Sequence, residues 1–152
     1  MKDIFKKIVR PLDLREYAPE METEIQVWVN PPRSLLVEDA GYTMAVGTVR
    51  KGLIELTRLA EEADASGDPA RIEDVRMQGR DLGGQLNELG SAQANILSQL
   101  WSQGEDPETH WSQDEVVALA TRSADTDPAL YLWLRRRTFE MISEYRAGQK
   151  KA

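Results

Sequence analysis

Residues 69–103 read PARIEDVRMQGRDLGGQLNELGSAQANILSQLWSQ, and the spacing of apolar side chains in this stretch decides the fold class. Ile72, Val75, Gly79, Leu82, Leu86, Leu89, Gln93, Ile96 and Leu100 follow one another at steps of three and four residues, the seam of a helix that packs along another helix. Seven of these nine positions are apolar, so the stripe predicts a long helix from Pro69 to about Gln103 that needs a partner. Asp68-Pro69 opens it, because an aspartate side chain can accept an amide at the N-cap and proline fits a first turn whose N–H has no partner. Gly79, Gly83, Gly84 and Gly90 lie inside it. Each costs about 1 kcal/mol relative to alanine in a helix interior, which predicts a kink or break near Gly83-Gly84.

Upstream, Tyr42, Ala45, Val49, Leu53, Leu56, Ala60 and Ala63 supply a second stripe at helical spacing, ended by Ser66-Gly67. Ser34 to Asp39 reads as one or two further turns, with Gly41 as a break. Before them, Thr23 to Asn30 alternates, placing Ile25, Val27 and Val29 on one side and Glu24, Gln26 and Trp28 on the other. That is a strand pattern, stopped by Asn30-Pro31-Pro32. Its partner is part of residues 3–20, as a hairpin, or a neighbouring subunit. Ile4, Phe5, Ile8, Val9 and Leu12 fit either a short helix or an extended arm, and the alternatives stay open.

Downstream, Gly104 to His110 reads as a loop. Ser112-Gln113-Asp114-Glu115 matches a capping box that starts another helix, with Val116, Val117, Leu119 and Ala120 on its apolar face. Asp125-Thr126-Asp127-Pro128 ends that helix and starts the last, Pro128 to about Ala147, followed by a frayed basic tail. The expectation is a mainly α protein, a helical bundle or hairpin with a short N-terminal strand or β-hairpin. It forms a single domain over 1–152: arm and strand segment 1–32, helical body 33–147, tail 148–152.

With 41% apolar and 30% charged residues, the 152-residue chain is apolar enough to fold. Its longest apolar runs fall far short of the roughly 20 residues that span a bilayer, so no membrane association is expected. The N-terminus lacks the continuous apolar stretch of a secretory signal. The absence of cysteine excludes disulfides and thiolate chemistry. A net charge of -7 argues against a general nucleic-acid binder.

The acidic clusters Glu20/Glu22/Glu24, Glu38/Asp39, Glu61/Glu62/Asp64 and Glu105/Asp106/Glu108 read as solvated helix ends and loops. Glu105-x-x-Glu108 is not followed by the Glu-x-x-Asp that a helical nucleotide pyrophosphohydrolase carries. His110 has no catalytic partner in the pattern, and Arg135-Arg136-Arg137 fan too widely around a helix for one phosphate clamp. No catalytic residue, cofactor or metal ligand is therefore assigned. Trp101 and Trp133 read as core. Trp28 and Trp111 are candidates for a protein-binding surface, since tryptophan is enriched among interface hot spots. Gly83 and Gly84 are candidates for close approach of a partner helix.

The segment around Pro11-Leu12-Asp13-Leu14, the extended Ile25-Gln26-Val27-Trp28-Val29-Asn30-Pro31-Pro32 and the all-helical remainder resemble, in layout, the tail assembly chaperones of long-tailed bacteriophages. The resemblance spans the chain and carries no diagnostic motif, so no binding residue transfers by position. It implies a non-enzymatic protein that coats the helical tape measure protein, helps recruit tail tube subunits, works in the host cytoplasm and is absent from the mature virion. Homo-oligomerisation is left open. The competing expectations are a structural virion connector or tail subunit that self-assembles, and a Mg²⁺-dependent nucleotide hydrolase using the scattered carboxylates.

If the stripe is a packed seam, Leu86→Asp places a charge in it and costs several kcal/mol. A urea melt of the variant is expected to shift strongly; one superimposable on the parent's would put the seam in solvent.

Overall fold

The structure, a computed structural model, describes residues 6–104 and 106–151. Ile4, Phe5, Glu105 and Ala152 lie outside the described residues. The described residues are 74% helical, with four helices and a four-stranded antiparallel sheet among them, a mainly α fold with short strands. The elements run β1 (Val9–Asp13), a 3-10 turn (Leu14–Glu16), β2 (Glu24–Trp28), α1 (Arg33–Ser66), α2 (Pro69–Leu100), β3 (Trp101–Gln103), β4 (Asp106–His110), α3 (Gln113–Thr126) and α4 (Pro128–Lys151). They fall into two compact units, one comprising the chain up to Leu36 and from Ala94 onward, the other Val37–Gln93.

In the first unit the sheet order is β1-β2-β3-β4. The partner of the alternating strand is thus in the chain: β1 pairs with β2 as a hairpin, Leu12 opposite Ile25 and Val9 opposite Trp28. The other edge of β2 is taken by β3, with Val27 opposite Trp101. Both edges of β2 thus have partners within the chain. Asn30 ends the ladder: its side-chain oxygen accepts from the Ile8 N–H at 2.7 Å and its amide donates to the Lys6 carbonyl at 2.9 Å. The Ile8 carbonyl accepts from Val29 N and the Thr23 carbonyl from Leu14 N, so the even-numbered residues of β1 turn their backbone toward β2 and Pro11 turns outward. Proline is tolerated there because an edge position has no ladder bond to lose.

Leu12, Ile25, Val27 and Val29 face a core that also holds Ile96, Leu97, Leu100, Trp101, Val116, Leu134 and Ile142, all buried. The capping box forms as read: Ser112 Oγ accepts from Glu115 N at 3.1 Å, and the Glu115 carboxylate accepts from Ser112 N at 3.0 Å. Hydrogen bonds from Ser112, then Gln103, hold the Glu115 carboxyl below its ordinary range. At the corner between α3 and α4, Ser123 Oγ donates to the Asp127 carbonyl and accepts from Tyr131 N. The Tyr17 hydroxyl donates to the Asp127 carboxylate at 2.8 Å, a bond that, with burial, raises the phenol above its ordinary value.

Several boundaries differ from the sequence reading. α1 is unbroken through Gly41 and α2 is unbroken through Gly83-Gly84, since glycine only weakens a helix and packing along the stripe outweighs about 1 kcal/mol per residue. α2 stops at Leu100, and Trp101–Gln103 leaves it as a strand. Residues expected to form a loop contribute β4, whose register to β3 shifts between Ser102 and Gln103. α4 continues to Lys151, where a frayed tail was expected.

The second unit is a helical hairpin. Asp68 Oδ1 accepts from Ala70 N at 3.0 Å, and Gly67 takes a φ of 66° in the turn, a conformation that a side chain would strain. Positions Gly52 and Gly79 are where the helices approach: a Cβ on Gly52 would stand 3.4 Å from a Leu82 methyl, and one on Gly79 3.4 Å from a Leu56 methyl.

Trp101 Nε1 donates to Thr138 Oγ1 at 3.0 Å inside the first unit's core. Thr138→Val preserves the volume but leaves that N–H without an acceptor, a loss of about 1–3 kcal/mol. Urea denaturation is expected to show it, with Thr138→Ser close to the parent.

Candidate functional site

A pair of helices can bury only the strip where they meet, so each side of a hairpin keeps an open furrow. Among the described residues, the second unit buries just three apolar side chains, Val49, Leu56 and Ala63, against fourteen in the first. The rest of its seam, Leu53, Ile72, Val75, Leu82, Leu86 and Leu89, is half-buried. Beyond the seam, Met44 is 76% exposed, Ile54 73%, and Val37 and Met77 60% each. Exposed apolar surface concentrated on one element marks a contact surface more often than scattered single residues do.

One furrow is an open groove of about 560 Å³, lined by Tyr42, Ala45, Thr48 and Val49 of α1 and Gln85, Glu88, Leu89 and Ala92 of α2. Its lining is mostly apolar, with alanines on both walls that leave room for an incoming side chain. The Tyr42 hydroxyl donates to Glu38 at 2.9 Å, which raises the phenol's pKa. Gln93 Nε2 donates to Thr43 Oγ1 at 3.2 Å and ties the two helices together near that end.

Gly83 is half-buried and Gly84 exposed; a Cβ at either would meet nothing within 4 Å. Neither glycine faces the other helix closely, whereas a Cβ at Gly52 or Gly79 would come into van der Waals contact across the hairpin. Trp28 and Trp111 lie in the first unit and are both half-buried. Lys7 Nζ stands 4.3 Å from the Trp28 ring centroid, a cation–π contact. Trp111 meets Trp101 edge-on with centroids 5.1 Å apart, and its N–H donates to the Trp101 carbonyl. The four candidates are thus split between the units, two tryptophans in one and two glycines in the other. Trp101 is fully buried, as read; Trp133 is half-buried against Tyr17, centroids 5.3 Å apart.

The other candidate chemistries do not converge. Among the described residues, no three His, Asp or Glu side chains are placed to hold a metal ion. His110 is exposed on β4, with Nδ1 2.7 Å from the Trp111 carbonyl. Arg135 stands 5.1 Å from the Phe139 ring centroid, Arg136 pairs with Glu140, and Arg137 with Glu16, Glu140 and Glu144, so all three consecutive arginines are engaged within the chain. A polar recess of about 430 Å³ is lined by Asp13, Arg15, Glu22, Thr23 and Glu24, where Arg15 bonds Asp13 and lowers its carboxyl pKa. No helix among the described residues is long and apolar enough to cross a membrane.

Sequence reading picked out Tyr42, Ala45, Val49 and Leu89 as seam residues but missed the groove. Thr48, Gln85, Glu88 and Ala92 become a wall only once the pairing of α1 with α2 is known. No family model, curated protein or solved structure matches the chain.

Two glycine substitutions separate packing from openness. Gly79→Val forces a branched side chain against Leu56 and is expected to cost about 1–3 kcal/mol. Gly84→Ala fills open space in a helix and is expected to stabilise by up to about 1 kcal/mol. Thermal melts of the pair check this; equal effects would mean that the two positions are packed alike.

Proposed function

We propose that the chain is a non-enzymatic assembly protein, a phage tail assembly chaperone that holds the helical tape measure protein in the host cytoplasm, helps recruit tail tube subunits and leaves before the virion matures. The observation that carries the reading is the under-buried hairpin: a long pair of helices with three buried apolar side chains, an apolar groove and four exposed large apolar residues. Such a surface is stabilised by laying it against another amphipathic helix. The N-terminal layout supports the same reading, with β1 and β2 spanning the Pro11 to Pro32 region from which the resemblance to these chaperones begins.

Co-expression with the tape measure protein encoded beside it is the direct test. The expected result is that this chain keeps that protein soluble, co-purifies with it and is missing from purified particles by mass spectrometry. Failure to retain or solubilise it would overturn the reading, and recovery of the chain in finished particles would make it a structural subunit.

A further inference from the structure

The walls of the hairpin groove carry carboxylates, and that charge describes what fits there. On α1, Glu38 stands a turn before Tyr42 and accepts from its hydroxyl, so this wall too carries a carboxylate; Val37, Gly41, Met44 and Thr48, at i, i+4, i+7 and i+11, form the adjoining uncharged face, with Lys51 a turn beyond Thr48. On α2, Met77, Asp81, Gln85, Glu88 and Ala92 form the corresponding row. Most other carboxylates of the hairpin have partners. Glu55 and Glu62 pair with Arg58, Glu73 with Arg76, Asp74 accepts from Gln78, and Glu38 from Tyr42. Asp81 and Glu88 have no ion-pair or hydrogen-bond partner among the described residues, and both are exposed. The nearby cations do not reach that wall: Arg80 lies about 100° around α2 from Asp81, and Arg50 about 160° around α1 from Thr48 on the shorter way.

We propose that this groove takes an amphipathic helix whose apolar stripe of small and medium side chains enters between Ala45, Val49, Leu89 and Ala92, and whose lysines or arginines lie over Asp81 and Glu88. The occupant is a helix because the walls are helices: their interior N–H and C=O groups are already bonded, so they offer an extended chain no ladder. Gly84, between the two carboxylates in sequence and open to solvent, lets the partner's backbone approach. The inference rests on the reading of this hairpin as a partner-binding surface, and adds the chemistry of the partner.

The test uses the full chain and two synthetic helical peptides of roughly 20 residues, long enough to follow the groove. Both carry the same Leu/Ala stripe; one has lysines on its flank and the other glutamates. In calorimetry at low salt the lysine peptide is expected to bind about tenfold or more tighter, the gap narrowing as salt rises. The Asp81→Lys/Glu88→Lys double variant, with its fold checked by circular dichroism, is expected to reverse the preference. Ala92→Arg, which fills the groove floor, is expected to abolish binding of either peptide. Equal binding of the two peptides, no binding, or a preference indifferent to charge reversal would overturn the proposal. So would a dimer of the chain that Ala92→Arg dissociates, since a second copy would then be the occupant. A chain that solubilises the tape measure protein equally well with and without the charge reversal keeps the chaperone reading and loses this one; the converse result keeps this one alone.

Discussion

An indole N–H sealed from water costs free energy unless it finds an acceptor, and at Trp101 that cost shapes how the chain leaves its longest seam. Trp101 follows directly on the last residue of α2 and is fully buried. Its N–H meets Thr138 of α4, whose own hydroxyl donates to the Leu134 carbonyl. Its backbone pairs with Val27 on one side and receives the Trp111 N–H on the other. One residue therefore ties the end of α2 to β2, to the link that follows β4 and to the final helix. A buried hydrogen bond of this kind contributes little net stability when made but costs much when broken, so it acts as a constraint on which arrangement is allowed.

The two compact units show opposite uses of apolar residues. In the first, the apolar side chains are enclosed and buried hydroxyls such as Ser123 and Thr138 are bonded, while the Trp28 indole N–H is buried without an acceptor among the described residues. In the second, the same kind of stripe is left half-covered along most of its length. A hairpin of this form holds its helices in place through a few close approaches, Gly52 on Leu82 and Gly79 on Leu56, while much of the free energy available from burial is still unspent. That residual drive is a reason for such a protein to seek contact.

Much of the framework is written locally in the chain. The capping box at Ser112, the Asp68-Pro69 start, the Ser66-Gly67 stop and the alternation from Glu24 to Trp28 each rest on interactions within a few residues, so the pattern alone reveals them. The short strands β3 and β4 do not: Trp101-Ser102-Gln103 and Asp106 to His110 have no alternation to announce them, and they exist because β2 offers a free edge to residues that the end of α2 delivers. The unbroken passage through Gly83-Gly84 was illegible for a related reason, because the penalty of each glycine is local and visible whereas the packing that offsets it belongs to the hairpin. The groove was half legible. Its apolar floor follows from the seam, but its walls depend on which side faces of α1 and α2 lie together.

Pro11 has a bearing on what the sheet cannot become. Its position turns a nitrogen without hydrogen toward the outer margin of β1, which is an edge among the described residues. An additional strand arriving there would find a gap in the row of donors midway along its length. Accretion of copies into a cross-β stack is interrupted at that margin, one of the two edges of the sheet.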